Sequence, residues 1–223
     1  MWKVDQILQI FAPFECLNCR REGGLLCHVC GLDVVGPPPD CCYRCLQIYR
    51  GVICNRCCAS TLLKGVWVAT SYEGVAAQLV SRLKFARTQA AARVIAQIMD
   101  ARLPATSVET IVVHIPTAAQ RVRQRGYDQA QLIAREFARC RQLPCQALLR
   151  RRGHTRQVGA NRQQRQKQLR TAFYCPRPER LVGRQILLID DVLTTGATIE
   201  AAAQICIETG AKAVVAATFA QKT

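Results

Sequence analysis

The sequence has few aromatic residues, few acidic residues and no long apolar run. Aromatic residues make up 6% of the 223-residue chain, and 15 acidic residues stand against 31 basic ones. Because no apolar run approaches the roughly 18 residues of a membrane-spanning helix, no membrane span is expected. The apolar periodicity from Trp2 to Phe11 is interrupted by Asp5 and Gln6, which argues against a secretory signal and predicts a cytoplasmic location.

The scarcity of acidic residues leaves a formal net charge of +16. Nucleic acid, phosphorylated small molecules and anionic membrane surfaces are all attracted by such a field, and charge alone does not choose among them. The basic stretch 150–170 contains eight Lys or Arg residues and neither an acid nor an aromatic residue. It therefore suits phosphate contacts better than base stacking.

Cysteine usage divides the chain into two parts. Ten of the fourteen cysteines lie between Cys16 and Cys58. The first 60 residues also contain three consecutive prolines and few periodic segments, so they cannot build much of a core alone. We predict an N-terminal helix and a Cys-rich segment over residues 1–62, and a second domain over residues 63–223.

Four CxxC pairs follow one another in the Cys-rich segment. They are Cys16 and Cys19, Cys27 and Cys30, Cys42 and Cys45, and Cys54 and Cys57. Two such pairs complete the tetrahedral four-cysteine site of a zinc ribbon, so we expect one or two structural Zn²⁺ ions. Sequence order favours one site from the first two pairs and one from the last two, although an interleaved arrangement is also open. Disulfides and an iron–sulfur cluster are the competing interpretations.

From Gly65 onward, strand-like and helix-like segments alternate. Strands are predicted at 66–72, 111–116, 186–190 and 213–219, with a short apolar segment at 145–149. Helices are predicted over 75–99, 125–142 and 198–209. The Val/Ile/Leu-rich strands indicate an α/β fold, with a mostly parallel sheet and helices on both faces.

The stretch ILLIDDVLTTGAT, residues 186–198, has the form of a phosphate-binding loop. An apolar strand ends in Asp190 and Asp191, and small residues then lead into a helix whose N-terminus can bind an anion. The alternative is an ordinary strand–turn–helix with Thr198 as the N-cap. The absence of GK[ST] argues against a nucleoside triphosphatase.

This stretch resembles the signature of type I phosphoribosyltransferases. The aspartates of that family bind the ribose hydroxyls of phosphoribosyl diphosphate, and its loop binds the 5′-phosphate. Together with the CxxC pairs, with Leu83-Lys84-Phe85 and with the segment from Arg125 to Ala130, the sequence resembles the ComF family over nearly its whole length. ComF proteins are competence-associated phosphoribosyltransferase-like proteins with a double zinc ribbon. The chain differs from the usual family pattern at Ala118, Asp128 and Gln168, where His, Asn and Asn are expected.

The resemblance implies the roles of individual residues. Catalytic or ribose-binding roles fall on Asp190, Asp191, Lys84 and Arg125. The 5′-phosphate loop comprises Val192, Leu193, Thr194, Thr195, Gly196, Ala197 and Thr198. The diphosphate and a flexible basic loop involve Arg121, Arg123, Arg162 and Arg165. Mg²⁺ accompanies the diphosphate.

The resemblance implies a phosphoribosyltransferase that supports DNA uptake in natural transformation, with an unknown acceptor. Single-stranded DNA and other competence proteins are the further partners it implies. An alternative from another class is a nucleic-acid-binding adaptor that keeps the fold without transfer activity. A salvage or amidophosphoribosyl enzyme is a third candidate, against which stands Trp2 in place of an N-terminal nucleophilic cysteine.

Overall fold

The computed structural model describes residues 14–31, 35–86, 88–152 and 172–223. Its centre is a parallel sheet of β1 (Gly65–Ser71), β2 (Thr110–His114), β5 (Gln185–Leu193) and β6 (Ala213–Gln221), in the order β1-β6-β5-β2. A short antiparallel pair, β3 (Arg150–Arg151) and β4 (Phe173–Tyr174), lies apart from it. The predicted α/β fold with a parallel sheet is confirmed.

Helices cover both faces of the sheet. The helix α1 (Asn55–Cys58) belongs to the Cys-rich segment, and the others are α2 (Gly74–Lys84), α3 (Ala90–Arg102), α4 (Ala119–Arg125), α5 (Gln129–Cys140) and α6 (Ala197–Glu208). The apolar sides of α2, α3 and α5 form one core with one face of the sheet. The other core lies between α6 and the opposite face.

The long helix predicted over 75–99 is two helices. The first ends at Lys84, and Phe85 leaves helical geometry before the second begins at Ala90. Both helices bury their apolar sides in the same core, so the apolar periodicity passes over the break without revealing it. The break places Lys84 at the end of a helix.

The predicted helix over 125–142 is also shorter. Gly126, with a φ of 85°, closes α4, and α5 begins only at Gln129. The Asp128 side chain caps α5 by accepting a hydrogen bond from the Gln131 amide at 3.4 Å. The segment 145–149 is not a strand of the sheet, since only Cys145 forms a parallel bridge, to Val112.

The Cys-rich segment completes its core by packing against the sheet domain. Its Leu25 and Val35 are buried in the core that contains α2 and α3, whereas Tyr43 is buried in the core that contains α6. Between these regions, the Gly36 carbonyl accepts hydrogen bonds from Thr70 Oγ1 at 2.6 Å and from Arg102 Nη1 at 2.7 Å. This contact covers the outer edge of β1, which would otherwise present unpaired backbone groups.

No helix in the described ranges of the chain is long and apolar enough to cross a membrane. The predicted N-terminal helix falls within residues 1–13, outside the described residues.

Candidate functional site

The carboxyl ends of the four parallel strands meet around one cavity of about 340 Å³. Tyr72 follows β1, Thr117 lies three residues beyond β2, Asp190 and Asp191 lie near the end of β5, and Lys222 follows β6. The lining consists of residues from these strand ends and from the adjoining helices and β3: Tyr72, Lys84, Ile115, Pro116, Thr117, Ala118, Arg121, Arg125, Gln129, Arg151, Asp190, Asp191, Val192, Thr194, Thr198 and Lys222. This edge is the usual ligand position in an open α/β sheet.

Asp190 and Asp191 are the acidic residues of the cavity. The prediction that the strand ends at these carboxylates is wrong, because β5 continues through them to Leu193. Asp190 Oδ1 accepts a hydrogen bond from the Asp191 amide at 2.9 Å. Burial, and after it the charge of Asp191, raises the pKa of Asp190 to about 8. Without a cation or ligand, the cavity therefore favours a protonated Asp190.

Lys84 makes the one ion pair recorded within the cavity among the described residues. Its Nζ lies 2.9 Å from Asp191 Oδ2, and both side chains are largely shielded from solvent. The pair joins the end of α2 to the end of β5. Because the lysine stem is flexible, Nζ can move to a ligand anion while Asp191 turns to a hydroxyl or a hydrated cation.

Three arginines converge on the same cavity. Arg125 Nη1 donates to Gln129 Oε1 at 2.7 Å, and the Arg125 guanidinium lies 5.5 Å from the centroid of the exposed Phe85 ring. Burial, and after it the charge of Arg121, lowers the pKa of the half-buried Arg151 guanidinium. Like charges brought this close are best compensated by a polyanion.

Thr194 lies in the segment that joins β5 to α6, and Thr198 is the second residue of α6. The helix begins at Ala197, and its N-cap is Gly196 in the left-handed conformation, with a φ of 72°, so the alternative of a Thr198 N-cap is wrong. The first N–H groups of a helix have no carbonyl partner within it. The first hydrogen bond there runs from the Glu200 amide to the Gly196 carbonyl, which leaves the preceding amides available to an anion.

The Asp128 carboxylate is held by hydrogen-bond donors at the turn after β2. It accepts hydrogen bonds from the Thr117 amide at 2.8 Å, from Thr117 Oγ1 at 3.0 Å and from the Gln131 amide. Asp128, at a position where the ComF pattern usually has Asn, therefore fixes the turn after β2, because its carboxylate can accept all three hydrogen bonds.

Some predicted site residues lie away from the cavity. Arg123 is exposed on α4 and does not line it, and Leu193 is buried in the core on the α6 side. Thr195, Gly196 and Ala197 lie in the loop and at the helix start without lining the cavity. Arg162 and Arg165 fall outside the described residues.

Sequence reasoning missed several lining residues, among them Thr117, Gln129, Arg151 and Lys222. Tyr72 is the last residue of one predicted strand and Lys222 lies three residues beyond another, so the common position of the strand ends could have identified them. Arg151 lies in the basic stretch, but nothing in that stretch distinguishes it from Arg150.

The cysteines of the N-terminal segment form two clusters. One contains Cys16, Cys19, Cys27 and Cys30, and the other contains Cys42, Cys45, Cys54 and Cys57. Within each, the sulfur atoms lie within 4.8 Å of one another. Tetrahedral Zn²⁺ requires sulfurs about 3.8 Å apart, given Zn–S bonds of about 2.3 Å. The Cys45 and Cys54 sulfurs are 3.8 Å apart, and those of Cys19 and Cys27 are 3.5 Å apart. The predicted pairing in sequence order is confirmed.

The electrostatics of both clusters suit a cation. Burial opposes ionisation of Cys42, but backbone N–H donors, including those of Cys54 and Cys45, outweigh it and lower the pKa of this thiol to about 6. Burial and the neighbouring thiols raise the pKa of Cys57 to about 12. Four adjacent thiolates can therefore coexist only around a positive ion.

The remaining cysteines have varied environments. Cys206 is buried, whereas Cys140 is exposed. Cys41 and Cys58 lie beside cluster cysteines without joining either cluster.

The comparisons with known proteins agree with this architecture. The model of the phosphoribosyl transferase domain matches residues 86–223, more than half of the chain. The chain therefore belongs to the phosphoribosyl transferase family. Within that class, the predicted ComF-type resemblance is confirmed by two named relatives.

These relatives match most of the chain. The chain is 26% identical over 209 residues to the DNA utilization protein YhgH of Escherichia coli (strain K12), covering 89% of this chain and 85% of that protein. It is 27% identical over 210 residues to the Competence protein ComFC of Bacillus subtilis (strain 168), covering 87% and 78%. A solved structure of the allosteric regulatory enzyme of purine biosynthesis aligns with a TM-score of 0.40 and 18% identity, over 57% of this chain and 25% of that one.

Proposed function

We propose that this protein binds phosphoribosyl diphosphate together with Mg²⁺ in the cavity at the strand ends. The observation that carries the proposal is the meeting of two carboxylates, two lysines and three arginines beside the N-terminus of α6. Carboxylates suit ribose hydroxyls or a hydrated cation, whereas arginines and helix N-termini suit phosphates. One ligand that carries hydroxyls between two phosphate groups satisfies both.

The ligand has one orientation that fits this arrangement. Its 5′-phosphate binds the backbone of the loop that runs from Val192 and Leu193 through Thr194, Thr195, Gly196 and Ala197 to Thr198. Its ribose hydroxyls face Asp190 and Asp191. Its diphosphate faces Lys84, Arg121, Arg125 and Arg151.

Mg²⁺ would supply charge neutralisation at the diphosphate. Asp190 and Asp191 are the residues of this chain that would hold it. Ionisation of Asp190 would accompany binding, because the charge of a cation offsets the burial and the Asp191 charge that raise its pKa. Lys84 leaves Asp191 in the same step and turns to the diphosphate.

Transfer follows from this arrangement when an acceptor is present. The bond between ribose C1 and the diphosphate oxygen breaks and its electron pair leaves with the diphosphate. The acceptor then forms a bond to C1 and loses a proton. Lys84 and Arg125 stabilise the departing charge.

Two Zn²⁺ ions complete the N-terminal segment in this proposal, one in each four-cysteine cluster. Their role is structural, because each cluster consists of four cysteines and leaves no ligand position open for substrate. We also propose a cytoplasmic location, where cysteines are kept reduced.

The cellular role that we propose is the handling of incoming DNA during natural transformation. The support is the names of the relatives, a DNA utilization protein and a competence protein, together with the net charge of +16. A nucleic-acid-binding adaptor without transfer activity is the second candidate, and the same two observations favour it. Single-stranded DNA and other competence proteins are the partners in either case.

Calorimetric titration with phosphoribosyl diphosphate and Mg²⁺ tests the binding proposal. The wild-type protein is expected to bind, and the double change Asp190→Asn with Asp191→Asn is expected to weaken binding by about a hundredfold or more, since it removes two charged hydrogen-bond acceptors. Asp40→Asn, on the exposed side of the Cys-rich segment, is the control and is expected to bind as wild type. Equal binding by the double variant and the wild type would refute the proposed site.

A titration with single-stranded DNA, together with an assay for diphosphate release, distinguishes the enzyme from the adaptor. Arg150 is exposed beside the cavity, whereas Arg151 lines it, so Arg150→Gln reports on nucleic acid with little effect on the small ligand. The adaptor predicts salt-sensitive single-strand binding that weakens in Arg150→Gln, without release of diphosphate. Release of diphosphate when candidate acceptors are added identifies the enzyme.

A further inference from the structure

The second cysteine cluster carries an aromatic residue between two of its cysteines. Tyr43 lies directly after Cys42 and two residues before Cys45, and its amide donates to the Val52 carbonyl at 2.9 Å. Both Cys42 and Tyr43 are almost fully buried. The backbone of the cluster therefore fixes where the Tyr43 ring can lie.

The Tyr43 ring packs directly on Gly196. A Cβ atom added to Gly196 would lie 2.1 Å from Tyr43 Cε2 and 2.6 Å from Tyr43 Cδ2, which is well inside van der Waals contact. Gly196 also has a φ of 72°, a conformation that other residues adopt with strain. Glycine is therefore required at this position both by its backbone and by the ring above it.

The Tyr43 hydroxyl anchors the ring to the helix that follows the loop. It donates a hydrogen bond to Glu200 Oε1 at 2.6 Å, and Thr61 Oγ1 donates to the same carboxylate at 2.8 and 2.9 Å. Arg44 Nη1 lies 3.8 Å from Glu200 Oε1 and donates to the Cys57 carbonyl at 3.1 Å. The second cluster is thus joined to the first turn of α6 through the Glu200 carboxylate.

The first cluster packs elsewhere. Its neighbours Leu17, Leu25 and Leu26 contact the core formed with α2 and α3, on the opposite face of the sheet from Tyr43. The two clusters therefore differ in what they support, although their ligand sets are the same. Only the second has its residues in contact with the loop among the contacts recorded for the described residues.

We propose that Tyr43 is a positioning residue for the 5′-phosphate loop, and that the second cysteine cluster holds the loop in its binding conformation through this ring. The proposal rests on the proposed function of the loop. A glycine-containing loop has many accessible conformations. The Tyr43 ring excludes those in which Gly196 would occupy the space of the ring. The loop amides are then arranged before the ligand arrives, which lowers the entropic cost of binding.

The test compares two ligands that report on opposite ends of the cavity. Ribose 5-phosphate requires the loop, whereas magnesium diphosphate requires the basic end. In full-length, zinc-loaded protein, Tyr43→Ala is expected to weaken ribose 5-phosphate binding about ten- to hundredfold, the size of effect produced by a small misplacement of binding groups. The affinity for magnesium diphosphate should change by no more than about twofold, as for a distant and independent site.

Variants of graded size separate positioning from folding. Tyr43→Phe keeps the ring over Gly196 and is expected to recover most of the affinity for ribose 5-phosphate that Tyr43→Ala loses. Tyr43→Leu fills part of the space and serves if Tyr43→Ala fails to fold, with the same selective loss expected. The matched control is Tyr49→Ala in the same segment. The Tyr49 hydroxyl donates to Asn55 Oδ1 within that segment, so this variant is expected to bind both ligands as the wild type does.

Two contrary results are distinguishable. If wild-type protein binds ribose 5-phosphate and a folded Tyr43→Ala or Tyr43→Leu variant binds it equally well, Tyr43 does not position the loop. The same conclusion follows if both ligands weaken by the same factor, because the change then acts on the whole cavity. If wild-type protein binds neither ligand, the proposed function of the loop is wrong and the role of Tyr43 is overturned with it.

Discussion

At the residue scale, the properties of the site follow from charges placed where water has limited access. Asp190 and Asp191 lie beside each other near the end of β5, and only Asp191 has the Lys84 ammonium as a recorded ion-pair partner. Asp190 is buried and lies beside the negative charge of Asp191, and both causes raise its pKa. The ligand-free protein therefore keeps a destabilised carboxyl group at the position where binding requires its ionised form.

This arrangement predicts how stability depends on pH. The pKa of Asp190 is about 8 in the folded protein against an ordinary value of 3.8. Between these values the folded state holds a proton that the unfolded state has lost, so this group reduces the free energy of unfolding as the pH rises towards 8. Asp190→Asn removes the effect and is expected to raise the Tm of ligand-free protein at pH 8 by about 2 to 4 °C for each kcal/mol recovered.

Thermal unfolding of the zinc-loaded protein at pH 5 and pH 8 measures this effect. The stabilisation by Asp190→Asn should be larger at pH 8 than at pH 5, and Asp40→Asn on the surface should show no such difference. An equal effect of Asp190→Asn at both pH values would contradict the raised pKa.

The sequence pointed to several of the charged residues that line the cavity, but it missed Arg151, Lys222 and the residue that packs on the loop. Asp190, Asp191, Lys84 and Arg125 all line one cavity because the motifs that contain them lie at strand and helix ends. Tyr43 could not be predicted, since its contact with Gly196 joins distant parts of the chain and has no local signal. The roles of these residues in binding stay predictions.

At the element scale, the Cys-rich segment is part of the architecture of the sheet. It supplies buried residues to the cores on both faces, and its Gly36 covers the edge of β1. The CxxC spacing predicted the two clusters because ligand pairs are local in sequence. The spacing did not predict which face of the sheet each cluster would meet, since that depends on tertiary packing of apolar residues such as Leu25 and Tyr43.

We expect each cluster to bind one Zn²⁺ ion, so that elemental analysis of purified protein gives about two zinc ions per chain. Cys19→Ser and Cys45→Ser, one in each cluster, should each reduce the zinc content by about one ion. Cys58→Ser is the control, because the exposed Cys58 lies outside both clusters. Iron with acid-labile sulfide, or cysteines that resist thiol reagents as disulfides, would contradict this assignment.

The two clusters should also differ in their effect on ligand binding. Loss of metal from the second cluster releases the segment that holds Tyr43, so Cys45→Ser is expected to weaken ribose 5-phosphate binding more than Cys19→Ser does. Calorimetry on folded variants measures the difference, and equal losses would mean that metal binding supports the fold without a specific effect on the loop.

At the scale of the whole molecule, the chain combines a large positive net charge with a cavity that contains two carboxylates. The net charge of +16 attracts polyanions from any direction, but Asp190 and Asp191 restrict what can occupy the cavity. A nucleic acid can bind the basic surface without entering the cavity, since phosphate contacts require only Lys and Arg. A ribose with phosphate groups at both ends complements the cavity, because its phosphates suit the basic side chains and its hydroxyls suit the two carboxylates. The two proposed ligand classes therefore need not compete.

A crystal structure of the zinc-loaded protein with phosphoribosyl diphosphate and Mg²⁺ would reveal the binding mode of the ligand. We expect the 5′-phosphate within hydrogen-bonding distance of backbone amides between Thr194 and Thr198, and the ribose hydroxyls beside Asp190 and Asp191. The diphosphate should lie beside Lys84 and Arg125, with the Lys84–Asp191 ion pair opened. A ligand bound outside this cavity, or bound in it with the phosphate positions reversed, would contradict the proposed binding mode.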